Sequence, residues 1–330
     1  MTARLSLVTG GNGFVGSHVV RALLARGDRV RALVRKGASL KALEGLVCEI
    51  VTGDLCDTAA VAKAVNGCTQ VYHVAADYRL WVPDPAPMYA ANVDGTRNVL
   101  EAARRAGVER VVHTSTVGTL GLGEDGIGRE DVPVSIDEMT GAYKRSKFMA
   151  EQIALEAARN GLPVVIVNPS TPVGALDYKP TPTGRIIVDF LKGRMTAYLD
   201  TGLNLVDVED VGRGHLLAAE KGRVGERYIL GGLNLTLKEL FARLAALSGV
   251  PAPKFEVPYG AAYAFALVAE GWARAVTKKP PRASLTEVRM ASRRMFFDSS
   301  KAREELGYAP GPVDSALTSA IAFYRRCGMA

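Results

Sequence analysis

Tyr143 and Lys147 stand four residues apart in GAYKRSKFMAEQIALEAARNG, a segment whose pattern predicts one long helix. Residues at i and i+4 share a helix face, so the phenol and the ammonium project to the same side. A phenol has an ordinary pKa of about 10 and is a poor acid or base at neutral pH. A neighbouring ammonium favours its ionised form. Such a pair can move a proton to or from a carbonyl or hydroxyl oxygen. The same spacing also fits a plain solvated helix face, so it needs partners.

The partners are hydroxyls. The run HTSTVGTLG places Thr114, Ser115 and Thr116 at the end of an apolar stretch that reads as a strand. Open α/β sheets bind their ligands at the carboxyl ends of strands. A hydroxyl there can hold a substrate oxygen beside Tyr143.

These groups must be carried by a frame, and the frame is legible. LSLVT, RVRALVR, CEIVTG, QVYHVA, RVVHTS and VVIVNPS read as strands. FVGSHVVRALLARG, DTAAVAKAVNG and APMYAANVDGTRNVLEAARRAG read as helices between them. That alternation predicts an α/β fold with a doubly wound parallel sheet. After Pro169 the rhythm changes to short extended pieces such as RYILGG and Pro- or Gly-rich links. We read residues 1–169 as a dinucleotide-binding domain and 170–330 as a smaller mixed α/β substrate lobe. The boundary is soft, because a later segment can pack back on the sheet.

The first strand runs into TGGNGFVG, with Gly10, Gly13 and Gly16 in GxxGxxG spacing and Phe14 and Val15 opening the next helix. Glycines there permit a tight turn and close backbone approach to a pyrophosphate, which the helix N-terminus favours. NAD enzymes carry an acidic residue about 20 positions on. Here stand Arg35 and Lys36, with Arg31 a weaker candidate. A guanidinium fork suits a 2′-phosphate, so NADP(H) is expected over NAD(H). Asp54 and Leu55, in GDL after the third strand, are expected near the adenine. An oxidised nicotinamide would add its positive charge to that of Lys147 in favouring a phenolate at Tyr143.

Glycine turn, hydroxyl strand end and Tyr-x-x-x-Lys helix, in that order, resemble the extended short-chain dehydrogenase/reductases over essentially the whole chain. TGGNGFVG, GDL, HVAA, NVDGT, TSTVGT, YKRSK and NPSTPVG carry the resemblance. AADYRLW, KPTPTGRIIVDFL and TGLNLVDVEDV point to the dihydroflavonol-4-reductase-like branch, and within it to the hopanoid-associated sugar epimerases. The resemblance implies Tyr143 as acid/base, Lys147 as its ribose-binding helper and Thr116 as the catalytic hydroxyl, with Ser115 an alternative. The family more often has Ser where Thr116 stands. It also implies support of the cofactor site by Asn92, Asn168 and Pro169, and a groove lined by Ala75 and Ala76. The expected reaction is hydride transfer between NADPH and a carbonyl. Epimerisation with no net cofactor change is the alternative. A non-catalytic dinucleotide sensor is a third, against which the intact Tyr–Lys pair argues.

After QVYHVA comes ADYRLWVPDP, expected to be a substrate-side loop. Tyr78 and Trp81 would form an apolar wall, and Asp77 and Arg79 would supply polar recognition. The segment from Tyr259 to Val276 is mostly apolar, followed by Lys278, Lys279 and Arg282. It reads as a buried helix or as one that meets a membrane or a lipid-linked substrate.

The chain has 330 residues, 48% hydrophobic and 23% charged, with a net charge of +7. It is long enough for a sizeable core and is not a disordered composition. No dense basic run with interleaved aromatics occurs, so no nucleic-acid partner is expected. Four cysteines without CxxC spacing and four histidines give no metal pattern. The start lacks a signal-peptide layout, and no apolar run is long enough to span a bilayer. A cytoplasmic protein is expected, with peripheral contact at the inner face of the cell membrane. A homodimer is implied by the family resemblance alone.

Overall fold

The computed structural model describes residues 4–273, 276 and 284–330. Lys278, Lys279 and Arg282 lie outside them. The first part runs β1 (Leu5–Thr9), α1 (Phe14–Ala25), β2 (Arg29–Val34), β3 (Glu49–Thr52), α2 (Thr58–Val65), β4 (Gln70–His73), α3 (Ala86–Tyr89), α4 (Gly95–Ala106), β5 (Arg110–Thr114), β6 (Ile127–Gly128), α5 (Gly141–Arg159) and β7 (Val164–Pro169). It continues through β8 (Thr171–Val173), α6 (Pro182–Leu191), β9 (Ala197–Tyr198), β10 (Gly202–Asp207), α7 (Val208–Lys221), β11 (Arg227–Leu230), β12 (Leu233–Thr236) and α8 (Leu237–Ser248). Last come β13 (Phe255–Glu256), α9 (Tyr259–Trp272), α10 (Leu285–Ala291), β14 (Phe296–Phe297), α11 (Ser300–Leu306) and α12 (Val313–Arg326).

Seven parallel strands form the main sheet in the order β3-β2-β1-β4-β5-β7-β11. The chain starts at β1, builds outward to β3, then returns to the other side at β4. That reversal opens a crevice above the ends of β1 and β4. Val8, Val20, Val167 and Val211 pack one face under α1 and α7. Leu7, Val99, Val111 and Ala154 pack the other under α2, α4 and α5. Central parallel strands are covered on both faces and therefore read as unbroken Val and Ile runs.

RYILGG is a later segment that packs back on the sheet. Its first four residues are β11, the edge strand of the main sheet, paired with β7 from Arg227 opposite Ile166. Only Ser170 separates β7 from β8, which begins a second sheet of order β12-β10-β8. Around that sheet, Phe190, Phe241, Leu244 and Leu317 build a separate core with α6, α8 and α12.

Between α3 and α4 the rod passes through a π-turn, Ala90–Asp94. Such turns are rare and cluster at functional sites.

Candidate active site

Gly10 has φ +65, and a Cβ on it would stand 2.8 Å from Ala75 Cα. A Cβ on Gly16 would stand 2.1 Å from the Gly10 carbonyl oxygen. Both positions therefore demand glycine, one for its conformation and one for space. Gly13 is the N-cap of α1, with no side-chain cap and no acid in the first turn. The first N–H groups of α1 are left to an anion. Arg35 and Lys36 follow the end of β2, exposed and without an ion pair among the described residues. Arg31 is used elsewhere: its guanidinium reaches the Ala64 and Asn66 carbonyls and faces Glu49 at 2.9 Å. Asp54 is exposed and turns back to accept from Cys56 N, while Leu55 buries its side chain against Gly95. The open helix end and the two exposed cations fit the phosphates of a dinucleotide.

The three strand-end hydroxyls separate cleanly. Thr114 Oγ1 lies 2.8 Å from His215 Nε2, on the α7 side. Ser115 is buried, its Oγ 3.3 Å from Thr119 Oγ1. Thr116 is half-buried, hydrogen-bonded to Tyr143 and to Gly118 N. The geometry favours Thr116 over Ser115 as the hydroxyl beside the phenol. Lys147 is 3% exposed and donates from Nζ to the Thr114 carbonyl at 2.7 Å. Burial pulls its ammonium down to about 8, against the opposing pull of Glu151. Burial pushes the Tyr143 phenol up to about 12, and the bond with Thr116 draws it back only in part. The phenolate expected from the Tyr–Lys spacing is therefore not the resting form of the protein alone. The phenol is.

Two buried networks hold this site, and neither was anticipated from spacing. Glu151, one turn beyond Lys147, is fully buried. Its carboxylate accepts from Thr119 Oγ1 and Asn168 Nδ2, both at 2.8 Å, and pairs with Arg227 at 3.3 Å. Asn168 Nδ2 also donates to the Thr116 carbonyl, so it fixes the hydroxyl turn from below. Its neighbour Pro169 ends β7. Glu151→Ala takes the acceptor from buried Thr119 and Asn168 and the partner from the part-buried Arg227 guanidinium, and is expected to cost about 2–4 kcal/mol. Urea unfolding checks this, and Glu151→Gln, which keeps an acceptor, should recover part of the loss.

The second network runs across the crevice. Thr9 Oγ1 accepts from Val74 N and Ala75 N, so its own proton goes to His73 Nδ1 at 2.8 Å. Thr96 donates to the Asn92 carbonyl and so accepts from His73 Nε2 at 3.0 Å. His73 is thus a neutral Nε2–H ring with both nitrogens used. Asn92, in the π-turn, accepts from Asp77 N at 2.7 Å and donates to Asp77 O at 2.9 Å and to Ser146. The family position expected to support the cofactor site clamps the loop to the catalytic helix. An apolar strand that ends in histidine, as QVYH does, was the one signal of this in the sequence.

In the loop, Asp77 and Arg79 face each other. Arg79 Nε donates to Asp77 Oδ1 at 2.9 Å, and Nη2 closes on Oδ2 at 2.5 Å. Burial raises the Asp77 carboxyl, but the Arg79 bonds outweigh it and hold it below its usual range. The two are paired with each other, with the Arg79 side chain 55% exposed at the loop surface. Tyr78 is partly exposed, near Asp177 and Arg185 of the second lobe. Trp81 is half-buried, and its indole N–H has no acceptor among the described residues.

A family model described as NAD dependent epimerase/dehydratase family matches residues 6–231. A putative dihydroflavonol 4-reductase of Synechocystis sp. is 45% identical, over 97% of this chain and 94% of its own. Sterol demethylase protein B of Methylococcus capsulatus is 39% identical, over 98% and 99%. The crystal structure of gox2253 superposes with a TM-score of 0.88 at 48% identity, covering 98% of this chain and 99% of that one. The chain therefore belongs to the NAD-dependent epimerase/dehydratase family, the extended short-chain dehydrogenase/reductases.

Proposed function

We propose that the protein is an NADP(H)-dependent oxidoreductase that reduces a carbonyl, or oxidises the matching hydroxyl, on a sugar- or polyol-bearing lipid of the hopanoid kind. The observation that carries the reaction is the meeting of Thr116 and Tyr143 above an anchored Lys147. The exposed Arg35 and Lys36 support the 2′-phosphate form of the cofactor. The relative named for sterol demethylation supports a polycyclic substrate.

When bound, the dinucleotide supplies the hydride. The Thr116 hydroxyl donates to the substrate oxygen and fixes it beside the phenol. Tyr143, protonated throughout the neutral range, gives that oxygen its proton. Lys147, tethered to the Thr114 carbonyl, turns its remaining N–H groups to the ribose and stabilises the phenolate left behind. The enzyme works in the cytoplasm, beside the inner face of the cell membrane.

Net oxidation of NADPH by a trial polyol ketone tests the reading. Turnover with no net cofactor change would establish epimerisation, the alternative that the family description favours. Arg35→Asp is expected to weaken NADPH binding about tenfold to a hundredfold and leave NADH binding unchanged. Equal losses for both would remove the NADP assignment.

A further inference from the structure

Helix α9 wears its apolar residues on the wrong side for a soluble helix. Its inward face, against α10, is small: Ala266 and Ala273 are buried there. Phe265, Leu267, Val268 and Trp272 are 54–72% exposed, and Val276 just beyond is 55% exposed. At about 100° per residue, the four on α9 sweep about 160° of its circumference. A Cβ added at Gly260 or Gly271 would meet nothing within 4 Å. The helix has one charged residue, Glu270, and it is buried, accepting from Leu285 N at 2.8 Å. A helix that packs a core does the reverse, with bulky apolar groups inward and charge outward.

The position matters as much as the face. Thr286 of α10 lies 2.8 Å from where a Gly141 Cβ would stand. Gly141 opens α5, two residues before Tyr143. The α9–α10 pair thus leans on the start of the catalytic helix. Arg289 of α10, exposed, stacks over Tyr263 of α9 at 5.9 Å, and Arg293 and Lys254 are exposed nearby in sequence. The whole chain carries +7.

We propose that the outer face of α9 docks the enzyme in the plane of an anionic bilayer surface, with Phe265, Leu267, Val268 and Trp272 in the acyl boundary. The apolar stripe by which a surface helix packs on protein is about 100° wide; this uncharged arc is about 160°. Trp272, within the arc and 63% exposed, is a residue type that favours the lipid interface. Arginine beside an uncharged face complements acidic headgroups. No helix among the described residues can cross a membrane, so the mode is peripheral. Docking would bring a lipid-embedded substrate to the mouth beside Tyr143; that purpose rests on the lipid reading above, whereas the docking does not.

Flotation with phosphatidylglycerol–phosphatidylethanolamine vesicles, at low salt and without substrate, tests it. Binding is expected there and not to phosphatidylcholine alone. In a Trp81→Phe background, Trp272 is the one tryptophan left, and its emission should shift to the blue with vesicles. A Phe265→Ser, Val268→Ser, Trp272→Ser variant should bind vesicles at least about tenfold more weakly, with unchanged circular dichroism and NADPH binding. No flotation of the wild type, or equal flotation of the variant, overturns the proposal. So does a concentration-dependent dimer that the variant abolishes while neither form floats. Flotation without any NADPH oxidation would sink the reduction reading and leave docking standing.

Discussion

Tyr143→Phe is expected to lower kcat for carbonyl reduction about a thousandfold, with the NADPH dissociation constant changed less than twofold. Phe keeps the ring and its packing and removes one hydroxyl. The hydride would then arrive at a carbonyl whose oxygen has only the Thr116 hydroxyl, a neutral donor, to meet the growing negative charge. Cofactor affinity survives because Gly10, Gly16 and Lys147 are untouched. Stopped-flow NADPH oxidation and a fluorescence titration separate the two quantities. A loss under tenfold would mean that another group delivers the proton. The pH profile carries a matching signature. Lys147 is held down to about 8, so its ammonium is present below that value and lost as pH rises through it. Tyr143, pushed up to about 12, stays protonated across the same range. Reduction should therefore be level through the neutral range and fall above about pH 8.

Acid should unfold this protein early. Burial drives His73 down to about 3 and His215 down to about 4, and His113 well below its ordinary value. His113 has no partner for either ring nitrogen among the described residues, and it packs on His73 with ring centroids 5.4 Å apart. An unfolded histidine takes a proton near pH 6.5, and these three cannot do so while folded. Below that pH the unfolded chain therefore binds more protons, and stability falls with falling pH. Each ring contributes about 1.4 kcal/mol per pH unit in that window, so three contribute about 4. Glu130 and Asp177, raised by burial, oppose the trend toward its acid end. By pH 5 the loss amounts to about 6 kcal/mol, the whole stability of a domain at the low end of the usual 5–15 kcal/mol range. Urea midpoints between pH 7.5 and pH 5 measure the slope. His113→Phe removes a ring that makes no hydrogen bond and should flatten it by about a third. A midpoint that does not move between pH 7 and 5 would refute the account.

The parts of this molecule that announced themselves are those set by near neighbours in the chain. The glycine turn, six strands and the Tyr143 helix follow from periodicity and turn chemistry within a dozen residues. Which later segment rejoins the sheet was not legible, because the β7 partner of RYILGG lies 61 residues upstream, Ile166 opposite Arg227, and nothing local distinguishes a short edge strand from a lobe strand. That Asp77 and Arg79 pair with each other was not legible, because a sequence does not say which two charges meet. The histidines were mute for a related reason: an apolar strand ending in His reads alike whether the ring is free or held at both nitrogens. Helix α9 was the hardest to read. Its apolar count fits a buried helix, and only the structure tells that the residues point outward.

The π-turn at Ala90–Asp94 holds one residue more than the same stretch of α-helix would need. Deleting one residue there would leave a continuous α-helix with both flanks in register, and only the side chains of the turn itself would be re-aimed. Asn92 would release both backbone groups of Asp77, while Thr116, Tyr143 and the glycine turn stayed where they are. The shape of the loop and the machinery of the reaction are therefore governed by separate stretches of chain. A descendant can change what it admits by gaining or losing a single codon, and inherit the chemistry intact.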